Sequence, residues 1–132
     1  MLNPSTADEE KNDPTIRKCC EYTEAWGYKK LVVTNLFAFR SPTPASLYDK
    51  PFDEVVGPEN NSYIEEIAKR AGLVVCAWGN HGGLHGRGAR VRQHFMSNHG
   101  IEIVHHYLKL NNSGEPSHPL YLNSTLVPKL WT

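Results

Sequence analysis

The sequence predicts an α/β fold, a single domain spanning residues 1–132 in which three layers, α/β/α, enclose a small and mostly parallel sheet. Short apolar runs rich in β-branched residues alternate with segments whose apolar residues recur at helical spacing. Glycine and proline separate these segments. Strands that alternate with helices form a parallel sheet covered on both faces, with right-handed crossovers. A chain of 132 residues is long enough to bury a real core in this arrangement.

The chain begins with the polar run LNPSTAD, residues 2–8, which is typical of a loop that leaves the end of a strand. The strand that should precede this loop is reduced to Met1 and Leu2, so we expect a truncated first strand. Asp13-Pro14 predicts a helix start, with Asp as the N-cap and Pro at the first helical position. Gly27 predicts where that helix ends.

The remaining elements follow in the same alternation. Gly57-Pro58 opens a second helix, which Gly72 ends, and Gly100 ends a third. Everything after the last strand is predicted to be loop. The predicted segments are a buried strand at 31–34, a second at 73–77, a helix at about 88–97 and a strand at 101–107.

Charge is unevenly placed, although the net charge is zero. Residues 1–69 hold 8 Lys/Arg against 12 Asp/Glu, and residues 70–132 hold 6 against 2 together with all seven histidines. This pattern excludes a strongly basic nucleic-acid binder. It fits either a basic face for a polyanion or an uneven solvated surface.

The cysteines and the hydropathy indicate a cytoplasmic protein. Three cysteines, two of them adjacent at Cys19 and Cys20, do not make a disulfide framework. No apolar run reaches membrane length, and no signal peptide precedes the first motif. A second copy or another partner could complete so small a sheet.

The loops after the predicted strands hold nearly all residues with chemical potential. They start at Asn3, Asn35, Gly79 and about Lys109. Loops at the carboxyl ends of parallel strands meet along one edge of a sheet, where open α/β folds bind ligands. We therefore expect one site built from these four loops.

Residues 79–88 form a glycine-rich loop with five glycines between a strand and a helix. Free backbone N–H groups there would cradle an anion, and Arg87 would add positive charge. No Walker or dinucleotide-binding spacing is present, so we predict phosphate contact without nucleotide hydrolysis. A merely flexible connection is the alternative. Trp78, just before the loop, points either into the core or over the site, and core packing is the more common outcome.

The histidines suggest no metal, because His81 and His85 lie in the glycine-rich loop and no cysteine pair has metal-ligand spacing. His118 differs from them, since it stands in a loop and is followed by Pro119, which fixes the backbone. Such a histidine is suited to donate a hydrogen bond to a carbonyl or a developing anion. A surface histidine is the alternative.

Four blocks, LNPSTAD, VTNLFAFRSPTP, VVCAWGNHG and HPLYL, occur in that order. In this respect the chain resembles a bacterial and phage family, domain of unknown function 1643, over nearly its whole length. That resemblance implies no activity.

The same blocks are similar in order to those of the uracil-DNA glycosylase superfamily, which implies a uracil-DNA glycosylase-like fold. The counterparts of its motifs are Asn3-Pro4 for the catalytic loop, Thr34-Asn35 with Arg40, Trp78-Gly79, and His118-Pro119. Leu120 departs from the pattern, since that superfamily has serine there.

This resemblance implies cleavage of an N-glycosidic bond on nucleic acid or a nucleobase compound, with no cofactor. Asn3 would hold the attacking water, Asp8 would act as base or face the sugar cation, and His118 would stabilise the leaving base. Asp8 as a turn cap is the alternative. Asn35 would read a base edge and Phe37 would stack on it. The predicted substrate-binding residues are Ser5, Asn35, Phe37, Arg40, Gly79, Asn80, His81 and Arg87.

Two other classes of function remain open. A hydrolase or transferase of free nucleosides or nucleotides would use the same pocket without a basic groove. A non-catalytic nucleic-acid or nucleotide binder, related to phage or defence, would keep the arginine and glycine features.

Overall fold

A computed structural model describes residues 1–2, 13–37, 45–97 and 102–132. Within these ranges the chain forms α-helices, two 3-10 helices and a three-stranded sheet, so the fold is of the α/β class. The elements are α1 (Pro14–Ala25), α2 (Ala45–Tyr48), α3 (Phe52–Val56), α4 (Asn60–Arg70), β1 (Val75–Cys76), a 3-10 helix (Asn80–Gly86), α5 (Arg87–Ser97), β2 (His106–Tyr107), a second 3-10 helix (Pro119–Tyr121) and β3 (Lys129–Leu130).

Helix α1 begins and ends where its local signals predict. Asp13 Oδ1 accepts a hydrogen bond from the backbone N–H of Thr15 at 2.7 Å, and Pro14 occupies the first helical position. Gly27 follows the helix with φ +84°, a conformation that costs glycine little. Helices α4 and α5 also confirm the prediction, and both bury an apolar stripe, Ile64 and Ala68 on α4 and Val91 and Phe95 on α5.

The sheet has the order β1-β2-β3. Strands β1 and β2 are parallel, with Val75 opposite His106 and Cys76 opposite Tyr107, as the alternation of strands and helices predicts. The prediction that everything after the third strand is loop was wrong, because β3 pairs antiparallel with β2. Neither residue of β3 is buried, so the segment lacks the apolar signal of a core strand.

The predicted buried strand at 31–34 was wrong. Leu31 is 36% exposed and Val32 is 43% exposed, and neither lies in a strand. The backbone hydrogen bonds to the first residues of the chain come from residues 34–37. Met1 N donates to Thr34 O at 2.7 Å, Leu36 N donates to Met1 O at 2.9 Å, and Phe37 N donates to Leu2 O at 2.8 Å. Met1 and Leu2 therefore run parallel to 34–37.

The core is built from residues of the helices, of β1 and of the segments between these elements. Trp78 is 4% exposed, which confirms that it packs in the core. The core cluster contains Leu2, Leu36, Phe37, Leu47, Val55, Val56, Ile64, Ala68, Cys76, Trp78, Val91, Phe95 and Ile103.

Helix α1 is tied to the chain beyond the second 3-10 helix. Tyr22 donates its hydroxyl hydrogen to Asn123 O at 2.6 Å, and Trp26 Nε1 donates to Leu126 O at 3.2 Å. Among the described residues, no helix has the length and apolar character needed to cross a bilayer. The three-layer arrangement and the single domain stay predictions.

Candidate functional site

Gly79 and His118 bring two loops together at the carboxyl ends of β1 and β2. A Cβ atom built on Gly79 would lie 3.6 Å from Cβ of His118. The N–H of Gly79 donates to Pro116 O at 2.8 Å, which ties the two loops by their backbones. Gly79 has φ +80°, so a side chain there would strain the backbone, although it would meet His118 only at ordinary contact distance.

A chain of polar contacts flanks this approach. Asn111 Nδ2 donates to Asn80 Oδ1 at 2.9 Å, and Ser113 Oγ donates to the same oxygen at 2.6 Å. Ser117 Oγ donates in turn to Asn111 Oδ1. The carboxamide of Asn111 therefore bridges the residue after Gly79 and the residue before His118.

His118 is exposed and is held in one tautomer when neutral. Its Nδ1 accepts a hydrogen bond from Leu120 N at 3.4 Å, so the ring hydrogen resides on Nε2. Partial desolvation lowers the pKa of His118, the N-terminal ammonium adds to the effect, and Asp13 opposes it. The next residue, Pro119, is fully buried and anchors the loop. The result is a neutral N–H donor at the surface.

His81 stands on the same loop as Gly79 and contacts α2. Its Nδ1 lies 2.8 Å from the hydroxyl oxygen of Tyr48, and the two rings meet edge to face at 5.7 Å. His81 and Tyr48 are both exposed. They supply an aromatic and polar surface beside the loop.

Two glycines of the glycine-rich loop make room for Trp78. A Cβ atom on Gly82 would lie 1.9 Å from Cδ1 of Trp78, and one on Gly88 would lie 2.7 Å from Nε1. The N–H of Arg87, where α5 begins, already donates to Gly82 O and Leu84 O. Packing around the indole thus explains these glycines without an anion.

Arg87 does not lie at the surface, contrary to its predicted contact with phosphate. The residue is 0% exposed. Its Nε donates to Leu36 O at 2.8 Å and its Nη1 donates to Asn61 Oδ1 at 2.6 Å, while Nη2 is buried without a partner among the described residues. Burial and nearby Arg90 lower the pKa of Arg87 to about 10. A fully buried guanidinium positions the 35–37 segment and offers no face to a ligand.

Phe37 also differs from its prediction. It is 0% exposed and belongs to the core, so it presents no face on which a base could stack. The sequence cannot distinguish a phenylalanine at the start of a loop that packs in the core from one that lies at the surface.

Asn35 lies two residues before Phe37 and is partly exposed. Its backbone carbonyl accepts a hydrogen bond from Asn60 Nδ2 at 2.8 Å, while its own Oδ1 is buried without a partner among the described residues. Asn35 lines a small, partly open pocket of about 50 Å³, large enough for a water molecule. Four other predicted site residues, Asn3, Ser5, Asp8 and Arg40, lie outside the described residues.

A larger cavity of about 450 Å³ lies away from this site. Lys69, Gly72, Val74, Glu102 and His106 are among its lining residues, and they stand at the opposite ends of β1 and β2 from Gly79. None of the predicted site residues that the structure describes is among its lining residues.

His105 forms a second polar centre, inside the protein. It is 3% exposed, accepts a hydrogen bond from Arg92 Nε at Nε2 (3.0 Å), and donates from Nδ1 to Ile103 O (3.0 Å). The guanidinium of Arg92 lies 3.7 Å from the ring centroid of Trp131. Burial lowers the pKa of His105, and Arg92 also lowers it. Over the part of the chain that the structure describes, no three His, Cys, Asp or Glu side chains form a metal-binding group.

Sequence reasoning missed Asn111, Ser113 and Ser117. The run Asn111-Asn112-Ser113-Gly114 signals a turn, and that signal is correct because Gly114 N donates to Asn111 O at 2.9 Å. Nothing in the sequence indicates that the side chains of this turn reach Asn80.

Residues 1–120 match the family model described as "Protein of unknown function (DUF1643)", so the chain belongs to that family. No curated protein matches the chain. No solved structure matches it either, so the resemblance to uracil-DNA glycosylases stays a prediction from the four motifs.

Proposed function

We propose that this member of the DUF1643 family binds a nucleobase compound and hydrolyses the N-glycosidic bond that joins base to sugar. The approach of Gly79 to His118 carries the proposal, because it gathers the loops after two parallel strands at one edge. Such an edge is where open α/β sheets bind ligands.

His118 stabilises the departing base. In the reaction the bond between C1′ and the base nitrogen breaks, the electron pair leaves with the base, and negative charge builds on its carbonyl oxygen. A neutral imidazole whose Nδ1 accepts from Leu120 N keeps Nε2–H to donate to that oxygen. Its lowered pKa keeps the ring neutral near pH 7.

The first loop supplies the nucleophile in this proposal. Asn3 holds a water through its amide oxygen, the water oxygen bonds to C1′, and Asp8 takes its proton or faces the sugar cation. Ser5 and Arg40 contact the substrate nearby. These four assignments are supported by the motifs in which the residues stand.

The second loop and the glycine-rich loop recognise the base. The edge and the ring of the base are contacted by Asn35, Gly79, Asn80 and His81. The exposed Tyr48 extends the aromatic surface next to His81. Arg87 positions Asn35 without contacting the base itself, because its Nε donates a hydrogen bond to the carbonyl of Leu36, the neighbour of Asn35.

A hydrolase of free nucleosides is the second candidate. Burial of Arg87 removes the phosphate contact that the sequence predicts for it, and phosphate contacts dominate affinity for nucleic acid. A nucleoside needs no such contact. A non-catalytic binder would keep the same surface without turnover.

Detection of released free base tests the proposal. The full chain is incubated with single-stranded and duplex oligonucleotides and with free nucleosides of every common base, and products are separated by chromatography. We expect release from at least one substrate, a loss of about 10²- to 10³-fold in His118→Ala, and no release in Asn3→Ala. Binding without release from any substrate contradicts hydrolysis and indicates a binder.

A further inference from the structure

A pocket of about 140 Å³ lies between two segments of backbone that do not pair with each other. Its lining includes residues 31–34 from one segment and residues 73–75, which lead into β1, from the other. Met1 also lines this inter-segment pocket and marks the end of it at Thr34, because Met1 N donates to Thr34 O at 2.7 Å. The pocket therefore continues the line of Met1 and Leu2 back between the two segments.

The backbone on both sides of the inter-segment pocket offers hydrogen-bonding groups to it. Thr34 O bonds Met1, and the backbone groups of alternate residues of an extended chain point to the same edge, so those of Val32 face the pocket too. Among the described residues, Val32 N and Val32 O make no hydrogen bond. On the other side, Val74 O accepts from His106 N of β2 at 2.9 Å, so the backbone groups of Val75 face away from β2, toward the pocket.

The walls of the inter-segment pocket are apolar. Ile64, Ile67 and Ala68 of α4 line it, together with Phe95 of α5. The chain thus presents apolar side chains around two rows of backbone donors and acceptors, an arrangement that an added strand with apolar side chains satisfies.

The amino group of Met1 gives the pocket a direction and a charge. Burial lowers the pKa of this group to about 6, and over the part of the chain that the structure describes it forms no ion pair. A strand parallel to residues 34–37 and placed before Met1 ends with its carboxyl group at Met1 N. A free carboxylate there pairs with the ammonium and compensates its burial.

We propose that the inter-segment pocket binds the apolar carboxyl-terminal tail of another polypeptide as a parallel strand between residues 31–34 and 73–75. The tail is about four residues long, since four residues of a strand span roughly 13 Å. The proposal does not depend on the proposed hydrolysis, because neither Gly79 nor His118 lines this pocket.

Fluorescence anisotropy with a labelled peptide tests the proposal on the full chain. The probe is Lys-Lys-Gly-Val-Ile-Val-Ile with the label at its amino end and a free carboxylate, and the same peptide ending in an amide is its control. We expect saturable binding, with the carboxylate form tighter than the amide form by about tenfold, the effect of one charge-assisted hydrogen bond.

Two proline variants identify the edge that the peptide joins. Val32→Pro removes an N–H that faces the pocket and should abolish binding of the peptide. Val33→Pro is the matched control, since the N–H of Val33 faces the opposite edge, and it should bind as the natural chain does. If Val32→Pro does not fold, Ile67→Glu should abolish binding by placing a charge in the apolar wall, whereas Tyr63→Glu, on the same helix but outside the lining, should not.

Several outcomes overturn the proposal. These are failure of the peptide to saturate the natural chain, equal affinity for carboxylate and amide, and binding that survives both Val32→Pro and Ile67→Glu. Two further outcomes assign the pocket to another occupant. One is a dimer that light scattering detects in a chain that ignores the peptide. The other is stabilisation by the same four residues fused before Met1 when the free peptide does not bind. Binding that needs the carboxylate and is lost in the pocket variants but kept in their controls supports the proposal.

Discussion

Trp78 occupies the space that a side chain on Gly82 would need: a Cβ atom there would lie 1.9 Å from Cδ1 of the indole. The indole Nε1 donates to Glu115 Oε2 at 2.7 Å and its ring lies 6.0 Å from that of Trp131. The glycine-rich loop is therefore fitted around a buried aromatic ring.

Gly82→Ala should lower the free energy of unfolding by about 3 kcal/mol, because the new methyl group forces the indole or the loop to move. Gly83→Ala is the control, since nothing lies within 4 Å of its Cβ position, and it should stay within about 0.5 kcal/mol of the natural chain. Urea denaturation measures both. Equal stability of the two variants would show that Trp78 does not pack against Gly82.

Arg87→Lys should lower the free energy of unfolding by about 2–3 kcal/mol. Lysine keeps the buried charge but cannot donate to both Leu36 O and Asn61 Oδ1, so the buried cation loses one of the two hydrogen bonds that compensate its burial. Arg70→Lys, whose side chain is 74% exposed and paired with Glu66, should change stability by less than about 0.5 kcal/mol. A ligand-binding Arg87 would instead give a stable Arg87→Lys variant with weakened binding.

Phe37→Ala should destabilise the protein by about 3–5 kcal/mol, the cost of emptying a large core site. Tyr63→Ala on α4, 51% exposed, should cost much less. Thermal denaturation of the two variants distinguishes core packing from a surface role. If Phe37→Ala melts with the natural chain, its ring does not belong to the core.

Stability should fall as pH drops below about 6.5, the ordinary pKa of histidine, in part because of His105. Its pKa is lowered in the folded chain, so below 6.5 the unfolded chain binds a proton that the folded chain does not yet take up. Unfolding is therefore favoured as pH falls toward the lowered pKa, and the contribution is complete above 6.5.

Urea denaturation at pH 7.5 and 5.5 measures this effect. His105→Gln should be less stable at pH 7.5, since Phe95 and Trp131 pack on the imidazole, and it should lose less stability on acidification. The exposed His94→Gln serves as control and should keep the pH dependence of the natural chain. An unchanged pH dependence in His105→Gln would exclude this histidine as a source.

Local signals predicted α1, α4 and α5, missed the short helices α2 and α3, and predicted the sheet only in part. Asp13-Pro14 and Gly27 bound α1 because capping depends on a few neighbouring residues. The pairing of β3 with β2 joins distant segments, and Lys129 and Leu130 are too exposed to show an apolar pattern. Strand pairing of this kind is set by tertiary contacts.

The candidate site, too, could be predicted only where local signals were sufficient. His118 could be singled out because Pro119 marks a rigid loop, and the structure does place it against Gly79. The burial of Arg87 and the reach of Asn111 toward Asn80 depend on how loops fold over one another. A charged residue beside glycines and an asparagine in a turn look like surface in a sequence.

The bonds from Tyr22 and Trp26 to the backbone at 123 and 126 join α1 to a stretch that lies past the family match, which ends at residue 120. A chain cut at that boundary would lose both acceptors, the third strand and the indole of Trp131 over Arg92. Residues 121–132 thus hold α1, β2 and Arg92 in place. Experiments on the family-matched segment alone would measure a less stable protein.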